Sequence, residues 1–417
     1  MRTAKQSVIT IIGAGPAGQV AALFLAKQGI GSLLIDKGAH PRSKPCADVV
    51  TGQAIRVLYE LDENLPLEKA FTDKYLRING TLLHTPNGSQ LDIAFLPLNK
   101  LEHLPTCVAM PRADFDNWLH EKIVASPLIE TLDNTAITGW EKDSVTGEWT
   151  LFNAHKQVIV KTRLLIIASG SSASLAYTIG NLSKEDKHFA LGVRGYFKHV
   201  GNKDYPNHAE LFLHRKMMPG GFYIAPFNNG IANVNVVMRS DVAKRNQIDL
   251  KQLFWEAIEL HPTLKERFKD AEQIGKLEGG ALHLGTKTRP ISGDGYMLAG
   301  DAGGLIDLMS GNGIPQAMIS GKFAALQAAK ALASNDFSAA ALKAYDTNVY
   351  NKINKDLKLG KLLSPFMGND FILNRATNAI NFIATRKGAQ AQLSSLLYTK
   401  NVAATLINPM FYWKLLI

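Results

Sequence analysis

The sequence predicts an α/β protein: a Rossmann-type domain with a parallel sheet, joined to an antiparallel-sheet domain and followed by a helical C-terminal region. Three observations predict it. A β-branched run, Val8 to Ile12, stops at a glycine-rich turn and leads into a helix-compatible stretch and a second short apolar run. A later apolar run ending at Leu298 meets a turn of small residues, Ala299 to Gly304, and then a long Ala-rich helical stretch. Between them, segments such as Ile231 to Met238 alternate apolar and polar residues, the period of a half-buried strand.

The first element, Val8 to Ile12, reads as a buried parallel strand. It ends at Gly13-Ala14-Gly15-Pro16-Ala17-Gly18, and the helix that follows is closed by Gly29 and Gly31 before Leu33 to Ile35 form the next strand. The spacing is that of a dinucleotide site. Gly13 permits the tight turn, Gly15 lets the backbone approach a pyrophosphate, Pro16 and Ala17 open the helix, and Gly18 lets helix and strand pack closely. Asp36, with Lys37 beside it, stands at the tip of the second strand, where a carboxylate can accept hydrogen bonds from ribose hydroxyls. The third strand, Leu164 to Ala168, ends at the turn Ser169-Gly170. By itself the first turn leaves FAD and NAD equally open.

At 417 residues, with 46% hydrophobic and 20% charged residues, the chain has the composition of a globular protein of two to three domains and not of a disordered or fibrous one. Two cysteines, Cys46 and Cys107, are too few for a four-cysteine zinc site or an iron–sulfur cluster. They fit a reducing cytoplasm. The N-terminal residues do not read as a signal peptide, and no window gives about 18 consecutive apolar residues, so a soluble or peripheral protein is expected. The histidines form no cluster with metal-ligand spacing, and no metal is expected.

The segment Tyr296-Met297-Leu298-Ala299-Gly300-Asp301-Ala302-Gly303-Gly304, followed by Gly311-Asn312-Gly313-Ile314-Pro315, resembles the LxGDAAGxxxPxxGxGI motif of the FAD-dependent monooxygenase and geranylgeranyl reductase superfamily. The resemblance implies FAD as cofactor and a p-hydroxybenzoate hydroxylase-like fold. It also implies that Gly300 and Asp301 hold the ribityl chain and that Gly313 and Ile314 lie beside the flavin ring. Three further segments are similar to the geranylgeranyl reductase branch. His40 to Cys46 matches PRxKxCG, which implies a Cys46 facing flavin and substrate. Met110 to Asp116 matches the segment whose arginine, here Arg112, helps hold FAD. Met218 to Phe227 matches PGGYxWxFP and implies a substrate cavity walled by Phe222, Tyr223 and Pro226. The chain departs from the pattern where Ala47-Asp48 replaces Gly-Gly, where Ile224 replaces an aromatic and where Pro226-Phe227 inverts Phe-Pro. The halogenase segment WxWxIP does not occur.

The expected domains are 1–175 with 285–335 for FAD, 176–284 for substrate, and 336–417 as a helical C-terminal region. The expected activity is reduction of double bonds in a small apolar, isoprenoid or polyene lipid-like substrate. An FAD-dependent monooxygenase and a quinone-reducing electron-transfer flavoprotein stand as alternatives. Electrons would come from NAD(P)H or a protein donor, since no second GxGxxG builds a separate NAD(P)H domain. Cys46 is the candidate catalytic residue, as proton donor to the reduced double bond or as modulator of the flavin, although free cysteines commonly serve as small buried hydrophobes.

The formal charge of +10 is concentrated at the end of the chain. From Ala341 onward ten Lys and Arg stand against Asp346, Asp356 and Asp370. The surplus lies far from any nucleic-acid motif, so nucleic acid is not expected as a partner. Mixed with apolar stretches, it suits peripheral contact with an anionic membrane as well as a solvated helical face.

Overall fold

The computed structural model describes residues 4–363, apart from 86–89, 96, 99–100, 172–173, 181, 183 and 309. Strand β1 (Lys5–Ile12) runs into helix α1 (Pro16–Lys27), and β2 (Ser32–Ile35) follows. Then come β3 (Val49–Thr51), α2 (Gly52–Leu61), α3 (Lys69–Thr72), β4 (Leu76–Arg77), β5 (Gly80–His84), β6 (Gln90–Ala94), β7 (Cys107–Ala109) and α4 (Arg112–Val124). The chain returns through β8 (Ile129–Leu132), β9 (Gly139–Lys142), β10 (Trp149–Phe152), β11 (Val158–Ile167) and α5 (Ser174–Ile179). Next are β12 (Phe189–Lys198), β13 (His208–Phe212), β14 (Gly220–Pro226), β15 (Ile231–Arg239), α6 (Ser240–Arg245), α7 (Leu250–Leu260), α8 (Pro262–Arg267) and β16 (Glu272–His283). The last elements are β17 (Ser292–Gly293), β18 (Tyr296–Leu298), α9 (Ile314–Ser334) and α10 (Ala339–Leu363).

The first sheet has the order β17-β18-β11-β1-β2-β8, with β10 and β9 branching from β11. Its centre is parallel: β1 lies between β2 and β11, and β11 pairs β18. These strands are continuous apolar runs because both faces are covered. Ile9, Ile11, Leu165, Ile166 and Ile167 are fully buried. The register sets the ends of β1, β2 and β18 side by side, so the turns that leave them open along one edge, where such sheets bind ligands.

The second sheet has the order β16-β12-β15-β14-β13-β5-β6 and is antiparallel except where β13 pairs β5. Helix α7 covers one face, burying Phe197, Phe222, Phe254, Val234 and Val236 in a core of its own. The other face meets a small sheet, β3-β7-β4. The sheet also recruits β5 and β6, from within residues 1–175, because Gly80–His84 pairs in parallel with His208–Phe212 and seats Leu82 in full burial. Helix α10 buries Leu342, Tyr345, Val349, Tyr350 and Ile353 against the rest of the molecule. Residues 364–417, with half of the ten Lys and Arg that follow Ala341, lie outside the described residues.

Candidate functional site

The first turn is dictated by close backbone approach. Gly13 has φ 107°, and a Cβ there would stand 2.4 Å from the Ala168 carbonyl oxygen at the end of β11. At Gly18 a Cβ would stand 1.8 Å from the Gly13 carbonyl oxygen. Gly15 caps α1 and has open space on its free side, with Pro16 and Ala17 in the first turn beyond it. First-turn amides have no partner within a helix, so α1 offers donors to an anion there.

Asp36 is buried and its carboxylate fastens this turn to the tip of β2. Oδ2 accepts from the Ala14 amide at 2.6 Å and from Arg42 Nη2 at 2.8 Å, while Oδ1 accepts from the Gly38 amide at 2.8 Å. Lys37 beside it is exposed. Asp36 therefore shapes the turn in addition to offering lone pairs to a ribose.

The second turn, Gly300–Gly303, leaves β18 and rests directly on the first. A Cβ on Gly300 would stand 3.3 Å from that of Ala17, and one on Gly321 would stand 2.2 Å from the Ala17 carbonyl oxygen, so α1 and α9 touch along their small residues. Ser320 Oγ accepts from the Gly300 amide at 2.9 Å. Gly313 is adjacent to the Asp301 carboxylate, 3.6 Å from where its Cβ would be, and Ile314 begins α9. Two turns nearly 300 residues apart in sequence thus form one cradle.

Across the cradle lies the segment 42–48, tied down at almost every residue. Arg42 holds Asp36, and Lys44 Nζ stands 3.3 Å from Asp301 Oδ2. Ser43 Oγ accepts from Arg194 Nη2 at 2.7 Å, and Pro45 packs against Gly280. The Cys46 carbonyl accepts from Asn233 Nδ2 at 2.7 Å. Asp48 ends the segment with φ 60°, the left-handed conformation that explains why the related pattern carries glycine there. Fully buried, its carboxylate gathers Tyr196 Oη at 2.5 Å, Asn233 Nδ2 at 2.7 Å and the Arg112 amide at 3.1 Å. Burial pushes the Asp48 carboxyl up against the pull of these donors.

Arg112 is placed differently from the sequence expectation of an FAD contact. Its guanidinium is buried and doubly bonded to Asp116, at 2.8 and 2.7 Å, one turn along α4. It also reaches the Cys46 thiol, which burial pushes up in pKa despite this cation. Phe222 and Pro226 need correction as cavity walls. Strand alternation turns Phe222 away from residues 42–48, into the core beside Phe254 and Phe268, at ring distances of 5.4 and 6.1 Å. Pro226 has the same parity and pairs with Ala232 of that core. Tyr223 has the opposite parity and packs with Cys107, Ala109, Ile78 and Phe227 on the face toward the small sheet.

Sequence reasoning missed Asp48, Tyr196 and Asn233; the one signal was an aspartate at a position where glycine was expected. It also missed His283 and Arg289, which stand behind Asp301. Among the described residues no group of three His, Cys, Asp or Glu is gathered as a metal site requires.

The residues present fit FAD: a cradle of two glycine turns, closely packed at Gly13 and Gly18 and open at Gly15, an Asp301 carboxylate left partly accessible, and a buried Gln19 Oε1 without a partner behind the first turn. The sequence matches the family described as FAD binding domain over residues 5–347. The chain belongs to this family. It is 25% identical over 388 residues to digeranylgeranylglycerophospholipid reductase 2 of Methanopyrus kandleri, covering 89% of this chain and 90% of that one. It is 26% identical to the menaquinone reductase of Mycobacterium tuberculosis, covering 76% and 75% of the two chains. Its fold is similar to that of a geranylgeranyl bacteriochlorophyll reductase-like protein from Thermoplasma acidophilum, with a TM-score of 0.77, 20% identity and 91% and 92% coverage. The protein is an FAD-dependent oxidoreductase of α/β fold, and among the described residues no helix is long and apolar enough to cross a membrane.

Proposed function

We propose that this flavoenzyme reduces carbon–carbon double bonds of an isoprenoid, lipid-like substrate, taking electrons from NAD(P)H or a reduced protein. The observation that carries the reading is similarity over nearly the whole chain to a reductase whose name specifies a geranylgeranyl lipid, supported by similarity to a second reductase, named for menaquinone.

FAD, when bound and reduced, supplies hydride to a double bond. The chain's own residues do the rest. The amides of Gly15, Ala17 and Gly18 would bind the pyrophosphate, Asp36 and Asp301 would hold the ribose and ribityl hydroxyls, and the segment 42–48 would shield the cradle from water. Cys46, half-buried and kept as a thiol by its surroundings, supplies the proton that balances the hydride: the π bond breaks and two C–H bonds form. The apolar face around Tyr223, Ile78, Phe95 and Phe227 offers an isoprenoid chain a dry wall.

The test is to reduce the purified yellow protein anaerobically and to admit candidate acceptors separately. Reoxidation by an unsaturated isoprenoid lipid with formation of a saturated bond is the expected result. Oxygen consumption coupled to an oxygenated product, or reoxidation by quinone alone, would overturn the reading. The basic surplus after Ala341 is proposed to bring the enzyme to anionic membranes where such lipids reside. Because α10 is part of the core, the truncation that tests this belongs after Leu363 and not at Asn335. It should release the protein from anionic liposomes in sedimentation; undiminished binding removes the proposal.

A further inference from the structure

His283 ends β16 of the second sheet, yet it serves the cofactor turn of the first domain. Its ring is fully buried, stacked on Phe189 at 4.5 Å and beside Tyr177 at 5.9 Å. Gly304, with φ 65°, leaves room for it; a Cβ there would stand 2.8 Å from Nε2. Nδ1 lies 3.2 Å from the Asp301 carbonyl oxygen, and Nε2 lies 3.1 Å from Arg289 Nη1. A guanidinium only donates. Nε2 must therefore accept, and the ring hydrogen is forced onto Nδ1, where it donates to the Asp301 carbonyl.

Arg289 has no other evident task. It is buried, it makes no ion pair with a carboxylate among the described residues, and its Nε and Nη2 have no partner. Its backbone is fixed from α10, whose Tyr350 hydroxyl accepts from the Arg289 amide at 3.2 Å and donates to its carbonyl at 2.9 Å. Burying a guanidinium this way is costly, and among the described residues the polar side chain it engages is His283. Directly after His283 the two domains are stitched together: the Gly285 amide donates to the Ile306 carbonyl at 2.7 Å, and Leu284 and Ile306 form a parallel bridge.

We propose that His283 and Arg289 are positioning residues for the FAD-binding turn: Arg289 selects the Nδ1–H tautomer of a neutral His283, which holds the Asp301 carbonyl and so aims the Asp301 carboxylate into the cradle. The proposal rests on the assignment of Asp301 to FAD. The titratable and charged groups facing His283 are Arg289, Asp301, His188 and Tyr177. Burial first and the Arg289 cation second bring its pKa down to about 4, against the raising influence of Asp301, in keeping with a ring that stays neutral.

Two measurements test it. Nitrogen NMR of histidine-labelled wild-type protein, needing no variant, should show for His283 a neutral Nδ1–H tautomer that does not titrate between pH 5.5 and 8. An Nε2–H tautomer, or titration near pH 6.5, would overturn the proposal. FAD affinity, read from flavin fluorescence, should fall about tenfold in His283→Leu, one hydrogen bond's worth, and recover most of that in His283→Asn, which keeps a donor near Nδ1. Equal losses in both variants would reduce His283 to a packing role, and no loss in either would remove it altogether. A wild-type protein that binds no FAD would refute the cofactor assignment itself, a result distinguishable from either.

Discussion

Acidification offers a quantitative check on His283. In the folded protein its pKa is lowered from an ordinary 6.5 to about 4, with burial as the main cause. At pH 4.5 the unfolded chain carries a proton on this ring and the folded one largely does not. Because the folded value is the depressed one, the stability this group confers is complete above pH 6.5 and is lost as the pH falls from 6.5 toward 4. Two pH units at about 1.4 kcal/mol each, less the small folded fraction already protonated, come to roughly 2.5 kcal/mol at pH 4.5. Carboxylates titrate in the same window, so the quantity to measure is a difference. Urea unfolding of wild type and His283→Asn at pH 7 and pH 4.5 isolates it, because the variant has nothing to protonate. The destabilisation caused by His283→Asn should shrink by roughly 2.5 kcal/mol on going to pH 4.5. A destabilisation equal at the two pH values would refute the reasoning, showing that the folded ring accepts a proton as readily as the unfolded one.

The other predictions concern packing. Gly321→Ala puts a Cβ 2.2 Å from the Ala17 carbonyl oxygen, so α1 and α9 must part; a loss of about 2–3 kcal/mol in urea unfolding and weaker FAD binding are expected together. Asp48→Ala strands three buried donors and places alanine at φ 60°, which should cost about 3–5 kcal/mol, whereas Asp48→Gly should cost about 1 kcal/mol less because glycine accepts that φ. Phe222→Ala should lose about 3–5 kcal/mol of stability, and the milder Phe222→Leu should leave substrate KM within about twofold. Tyr223→Leu, on the opposite face, should move that KM, and equal KM effects for the two positions would contradict the assignment of faces. Cys46→Ser should keep FAD and slow lipid reduction; unchanged turnover would remove Cys46 from the chemistry.

Much of the cofactor cradle was legible in the sequence because its requirements are local. A glycine at φ 107°, a glycine under a carbonyl and an aspartate at a strand tip are needed within one βαβ unit, and the chain writes them within 24 residues, from Gly13 to Asp36. The second turn was legible for the same reason, with its Gly-Asp pair, its glycines and its Pro-opened helix contiguous from Gly300 to Pro315. That the two turns touch, through Ala17, Gly300 and Gly321, is a matter of parallel strand order, which brings the ends of β1 and β18 to one edge.

Tertiary structure decided what depends on partners far away in the chain. Asp48 finds Tyr196 and Asn233, 148 and 185 residues on, and the identities of all three are unremarkable taken singly. Arg112 could have turned outward; Asp116, itself buried one helical turn away, draws it inward instead. Phe222 and Tyr223 are neighbours in sequence, and the alternation of side chains along β14 sends one to the α7 core and the other toward the small sheet. From the sequence alone came a nucleotide-binding turn, its helix and its acidic partners, because backbone strain permits few residues there. Which side chains lie on the face toward the small sheet, and which pack beside the Asp301 turn, is decided only where the second sheet packs across the first domain, because burial and hydrogen-bond pairing are properties of the assembled chain.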